Sequence, residues 1–354
     1  MDFLLLYFFR RYIRRTWRFV KLKRLLFLSL VILFLLSTIS FFYPLPGGTE
    51  DAIMFRDVSA LSLNFNPGTE AFLSFSGFIK NFSFLREFAL YLIPTTLLSW
   101  VLIDLFQNPI RTPIQQLSYS TFLLIPALYL FGTIPLRESY QLFFFYFLIK
   151  NIKEDNKIKY FYSIALAIFH KGLLIFSPLV LIRKLGVFLL VLCVLWLSSS
   201  WLISYIPESR GFELIDVVLN NNIINYVKNY RNSLELLSSN TMYLIEDKST
   251  FSYLIKIFMS YQLGPIYFLD SVNIIFFIDS IWRCTLFLIL IFKWKKVNKR
   301  IFILFIVISL IWSLGTVNYG QLIRHHMMHD FLLLILLNDT FKSYRNYASK
   351  EVRG

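Results

Sequence analysis

Cysteine is nearly absent from the 354-residue chain: Cys193 and Cys284 are the only two, and both sit in apolar stretches. That excludes a disulfide framework or a cysteine-built zinc site, and the pair reads as small buried hydrophobes. Charge is also scarce, at 16% of residues, where a soluble domain carries about 25%. Twelve Gly and 11 Pro are few turn signals for the two or three soluble domains that the length would otherwise allow. Acidic residues are the rarer sign, 21 against 36 Lys and Arg, for a formal net charge of +15. No internal repeat or low-complexity linker is visible, so residues 25–340 read as a single domain.

What the chain does have is apolar residues in long blocks: 57% are hydrophobic, with 39 Phe and 20 Tyr. Blocks of about 20 such residues match the thickness of a bilayer core, and the aromatics suit lipid-facing surfaces and interfacial belts. The basic residues fall in short runs between the blocks, not along one amphipathic face. In a membrane protein that is an orientation signal and a contact for anionic lipid, so membrane lipids are expected partners and nucleic acid is not. Arg10, Arg11, Arg14, Arg15, Arg18, Lys21, Lys23 and Arg24 precede an apolar run too long for a signal peptide. Residues 1–24 therefore read as a basic cytoplasmic segment leading into a first span. The expected fold class is an all-α polytopic membrane protein.

Spans are expected at about residues 25–43, 88–106, 117–132 and 135–149, followed by a lysine-rich cytoplasmic stretch at 150–159. The apolar stretch 160–182 poses a parity problem. As one span it would put Lys293, Lys295, Lys296, Lys299 and Arg300 outside, against the positive-inside rule. A break at His170-Lys171-Gly172 into two half-spans restores the order, and such breaks are tolerated where they line an enclosed cavity. Spans at about 185–206, 272–292, 301–317 and a short 331–337 complete about ten crossings, with both termini cytoplasmic. Outer loops are expected at about 44–86 and 207–250, with an interfacial stretch containing Tyr253, Tyr261 and Tyr267 at 251–268. Residues 318–330 form a further outer segment, and 341–354 a cytoplasmic tail.

Three polar groups then meet at the outer face: Arg137-Glu138-Ser139, His170-Lys171, and Asn318-Tyr319 through Arg324-His325-His326, with His329 and Asp330 beyond. Charged side chains near membrane depth are expensive, and their default reading is functional. Bland readings exist for each. Arg137 and Glu138 can pair with one another, His170 can be a satisfied interfacial histidine, Lys171 can snorkel, and Arg324 can anchor to headgroups. Three of the four histidines fall within five positions beside an arginine, which a purely structural reading does not explain. Arginine offers a planar, permanently charged fork for phosphate, and two of them on separate helices can hold a pyrophosphate and stabilise its departure. Histidine titrates near neutrality and can take a proton from an attacking hydroxyl. A zinc site from His325, His326 and His329 is disfavoured, because neighbouring histidines point to different helix faces and HExxH spacing is absent.

The Leu136-Arg137-Glu138-Ser139 segment opening a span, the Phe169-His170-Lys171 segment, and the stretch from Gly315 to His325 resemble bacterial polysaccharide and O-antigen polymerases of the Wzy type, including EpsG-like relatives. Gly47-Gly48-Thr49-Glu50-Asp51 is similar to their acidic outer loop, although Gln321 and Leu322 stand where small residues are commoner. The resemblance implies a GT-C-like helical bundle and a metal-independent glycosyltransferase without cofactor. It would join undecaprenyl-pyrophosphate-linked oligosaccharide repeats at the outer face of the bacterial cytoplasmic membrane, and it leaves open a chain-length regulator as partner. By the same resemblance Arg137 and Arg324 bind pyrophosphate and His170 or His325 activates the acceptor. Glu138, Asn318, Tyr319, His326, Glu50, Asp51 and Arg210 contact substrate, with the loop around Arg210 shaping the sugar site.

Two other classes fit the composition. A GT-C-type enzyme using a polyprenyl-phosphate monosaccharide would draw its base from Glu50, Asp51 or Asp57. A lipid-linked glycan transporter would show inverted repeats with paired broken helices, and neither is visible. A structural membrane subunit without chemistry is the remaining alternative.

Overall fold

In the computed structural model, the described residues are 22–43, 56–57, 69–107, 112–154, 156–169, 182, 186–187, 190–191, 255, 258–259, 261–262, 274–315, 322, 324–327, 329–338 and 340. Among them the structure is helical, with no strand. The helices are α1 (Lys23–Phe42), α2 (Thr69–Phe82), α3 (Glu87–Phe106), α4 (Pro113–Phe122), α5 (Pro126–Gly132), α6 (Arg137–Lys153), α7 (Lys159–Phe169), α8 (Ile274–Phe292) and α9 (Lys299–Gly315). Helical residues 324–327 and 329–338 form a C-terminal segment. Among the described residues two helices, α1 and α3, are long and apolar enough to cross a bilayer.

Ring contacts give the helix directions. Phe41, near the end of α1, meets Phe88 and Tyr91 at the start of α3, so these helices are antiparallel. Trp100 of α3 packs on Phe143 and Phe147, and Asp104 reaches Lys150 at 2.7 Å, so α3 and α6 run parallel. The α6–α7 hairpin returns antiparallel, with Phe147 stacked on Tyr162. Phe287 stacks on Phe302 across the turn between α8 and α9. Asp279 and Arg283 of α8 lie beside His326 and Asp330, which makes α8 parallel to the C-terminal segment.

These directions gather Lys23, Arg24, Lys150, Lys157, Lys159, Lys293, Lys295, Lys296 and Lys299 at one end of the bundle. Arg137, Glu138 and Arg324 lie at the other. The outward faces are apolar: Phe27, Leu28, Leu35 and Ile39 on α1, Phe161 and Ile164 on α7, and Ile281, Leu288 and Ile291 on α8 are exposed. In α3, Pro94 is accommodated within the helix, and Thr95, Thr96 and Ser99 bond back to carbonyls four residues earlier.

Three expectations need correction. The span expected at 117–132 is two helices separated at residues 123–125. Pro126 excludes helical geometry from Ile125, which is extended (φ −68°, ψ 121°), and the Leu123 carbonyl accepts instead from Tyr129 Oη. Earlier in that region, Thr112 and Gln115 close a capping box ahead of Pro113. The outer loop 44–86 contains α2, whose Phe72, Ser76 and Ile79 recur at helical spacing and are buried. Residues 326, 329 and 330 are buried within the C-terminal helical segment, not in an outer loop, and Tyr261 is buried rather than interfacial.

Candidate functional site

Arg137 opens α6 directly after the extended Leu136, and Glu138 occupies the first turn. The first turn of a helix has amides without intrahelical partners and the positive end of the helix dipole, so this end attracts anions. Helix α2 packs over it, with Phe72 and Phe75 edge-on against Tyr140 at 5.2 and 5.4 Å. The antiparallel α6–α7 register brings the Phe169 end of α7 back to the same level.

From the C-terminal segment Arg324 enters this end. Its Nε lies 3.1 Å from Glu138 Oε1, and Arg137 Nε lies 3.8 Å from the same oxygen. Side-chain exposure falls from 26% at Arg137 to 10% at Arg324 and 9% at Glu138. The pairing expected within Arg137-Glu138 is thus the looser contact, and the carboxylate sits closer to Arg324, from a helix far away in sequence. Glu138 Oε2 has no hydrogen-bond partner among the described residues. Two guanidinium groups around one carboxylate leave a net positive charge at a helix N-terminus, an arrangement suited to a phosphate-bearing ligand.

Beneath this pair lies a second, wholly buried cluster. Arg283 donates from Nε to Asp330 Oδ1 at 2.8 Å, and from Nη2 to Asp330 Oδ2 at 3.1 Å and Asp279 Oδ2 at 2.7 Å. All three side chains are 1% exposed. His329 Nδ1 meets Tyr261 Oη at 2.9 Å and its Nε2 lies 3.4 Å from Ser309 Oγ. His326 Nε2 is 2.6 Å from the Tyr261 carbonyl oxygen, so that nitrogen carries the donated hydrogen. His326 Nδ1 faces Asp279 Oδ2 at 4.0 Å. The His325 ring stacks on Trp312 with centroids 5.1 Å apart, and Trp312 also meets His329 at 5.0 Å.

The structure therefore brings together Arg137, Glu138 and Arg324, and separately joins His326 to a cluster that the sequence reading missed. His325 adjoins the second cluster through its neighbour His326 and stacks on Trp312. Glu50, Asp51, His170, Arg210, Asn318 and Tyr319 lie outside the described residues, as do the break at 170–172, the outer loop 207–250 and all of the span at 185–206 except residues 186–187 and 190–191. Asp57 is described, paired with Arg56 at 2.9 Å and 59% exposed. Asp279 and Arg283 carried a legible signal: opposite charges four residues apart inside an apolar 19-residue helix.

No protein-family model, curated protein or solved structure matches the chain.

Proposed function

We propose that the protein is a polytopic glycosyltransferase of the bacterial cytoplasmic membrane that polymerises undecaprenyl-pyrophosphate-linked oligosaccharide repeats at the outer face. The observation that carries this reading is the convergence of Arg137 and Arg324, from separate helices, on Glu138 at the first turn of α6. The lysines at the opposite end of the bundle support an outward orientation for that site by the positive-inside rule. The apolar outer faces support a lipid environment.

In this reading the two arginines hold the pyrophosphate of the donor. The acceptor hydroxyl oxygen bonds to the anomeric carbon and gives its proton to His170 or His325. The anomeric carbon–oxygen bond to the pyrophosphate breaks and its electron pair leaves with the pyrophosphate, where the arginines and the α6 N-terminus stabilise the added charge. Glu138 keeps the two guanidinium groups together between turnovers through its charge.

The test supplies purified protein with lipid-pyrophosphate repeats from its host, wild type beside Arg324→Ala and Glu138→Gln. A ladder of repeat multiples formed by the wild type and lost in Arg324→Ala supports the proposal. Transfer that requires a polyprenyl-phosphate monosaccharide would replace it with the GT-C-type reading centred on Glu50, Asp51 or Asp57. Movement of the lipid-linked glycan across vesicles without any new glycosidic bond would replace it with transport.

A further inference from the structure

Independently of the proposed function, we infer that α2 is a membrane-embedded half-span whose Phe78 and Phe82 contact the acyl chains of the leaflet opposite the lysine-rich end. The inference starts from the two sides of this helix. Phe72, Ser76 and Ile79 are buried on one of them. Phe75, Phe78 and Phe82 recur at helical spacing on the adjoining side, where Phe75 is half-buried and the other two are exposed. The rings of Phe78 and Phe82 lie 4.6 Å apart, so they present one continuous aromatic surface.

The polar residues near this surface are turned away from it. Lys80 Nζ pairs with Glu87 at 2.9 Å and donates to the Arg56 carbonyl at 3.2 Å. Asn81 donates from Nδ2 to the Gly77 carbonyl at 2.8 Å, within its own helix. A helix that is apolar on two sides needs an apolar neighbour on each. Protein fills that place on the Phe72 side, and lipid fills it on the Phe78 side.

Register within the bundle sets the depth. Helices α1 and α3 have 20 residues each, which makes them about 30 Å long, the thickness of a bilayer core. A core spanned by this pair ends near Tyr43 and Glu87, because Phe41 packs on Phe88 and Tyr91. Counting back along α3 and α6 from the Asp104–Lys150 contact brings Tyr140 level with Pro94, about 10 Å inward of Glu87. Phe72 and Phe75 meet Tyr140, whereas Lys80 meets Glu87. Helix α2 therefore climbs from inside the leaflet to its boundary, with Phe78 between the two levels. Phe84, in the turn that follows, is 88% exposed, and Phe42 and Tyr43 are exposed at the same boundary, where aromatic residues concentrate. Since its buried side meets Tyr140, two residues from Glu138, α2 is a wall between the leaflet and the place where Arg137 and Arg324 meet.

The full chain, with Cys193 and Cys284 changed to Ser, is reconstituted into vesicles of phosphatidylcholine and phosphatidylglycerol. Nitroxide labels on Phe78→Cys, Phe82→Cys or Phe84→Cys are relaxed by oxygen, which concentrates among acyl chains, or by a water-soluble nickel chelate. Leu35→Cys, on the exposed face of α1, is the acyl-chain reference. No substrate is needed, so failure here is separable from failure of the proposed function. Relaxation by oxygen should exceed relaxation by nickel at Phe78→Cys and Phe82→Cys. The ratio should rise from Phe84→Cys through Phe82→Cys to Phe78→Cys, towards that of Leu35→Cys. Nickel dominating at Phe78→Cys or Phe82→Cys would place that side of α2 in water and overturn the inference. Exclusion of both reagents there would place it under protein, the chain's own or a second copy's, and overturn it equally. If Phe78→Cys does not assemble, Phe82→Cys decides by the same criterion.

Discussion

Arg283 is the side chain whose removal should matter most to the fold. It is among the largest fully buried side chains, and it satisfies Asp330 through two hydrogen bonds and Asp279 through a third. Arg283→Met keeps volume and deletes the charge, leaving two carboxyl groups buried against each other without a counter-ion. Breaking a buried pair by removing one partner costs about 3–5 kcal/mol, and full burial leaves no solvent screening to reduce it. Unfolding in mild detergent, followed by the fluorescence of Trp282 and Trp312, reads this directly, since Trp282 packs on Phe122 and Trp312 packs against His325 and His329. The triple variant Arg283→Met, Asp279→Leu, Asp330→Leu replaces the whole ionic set with apolar groups. It should recover most of the loss, because an apolar replacement of a complete buried ionic set is often neutral or stabilising. A loss below about 1 kcal/mol for the single variant, the level of an exposed ion pair, would refute the reasoning. So would a triple variant no more stable than the single one.

Three further outcomes follow from local geometry. A Cβ at Gly132 would land on the Leu98 Cδ2 atom, so Gly132→Ala should cost about 1–3 kcal/mol by overpacking. Chemical denaturation measures it, and Leu98→Ala in the same chain should return part of the loss. Thr112→Ala removes a capping box and should lower stability by about 1 kcal/mol, with Thr112→Ser nearly silent in the same assay. Orientation is read by labelling single cysteines in intact cells, with Cys193 and Cys284 first changed to Ser. Arg86→Cys should react with a membrane-impermeant reagent and Asn298→Cys should not; the opposite pattern inverts the bundle.

Much of the helical path was legible because charge marks its ends. Lys23 and Arg24 flank α1, and the lysines from Lys293 to Lys299 separate α8 from α9, so both helices begin or end within a few residues of expectation. Arg137, Glu138 and Arg324 were legible for the same reason, standing at the mouths of apolar blocks. The break before Pro126 was written in that proline, but a window on apolar content passes over one residue. Helix α2 was hidden because it is amphipathic and, at 14 residues, too short to span. Asp330 misled in the opposite direction. A charge was taken to end a span, whereas Arg283 on another helix compensates it, so the helix continues through. That pairing joins positions 47 residues apart and no local pattern contains it.

The same C-terminal segment carries Arg324 at the mouth and His326, His329 and Asp330 in the interior. Apolar helix faces can slide or rotate against each other at modest cost, since one leucine replaces another as neighbour. The Arg283–Asp330 pairing cannot: a shift by one turn, about 5.4 Å, would separate both hydrogen bonds and strand both charges. Asp279, one turn earlier on α8, fixes the guanidinium from the other side, and Tyr261 grips His326 and His329 from a third direction. Depth and rotation of the segment are therefore set by polar contacts, while Phe331 against Phe122 supplies packing. Only at that depth does Arg324 come level with the first turn of α6 and reach Glu138. The buried cluster is thus the reason the two arginines meet at all, and the ionic pair at the mouth inherits its geometry from the one beneath.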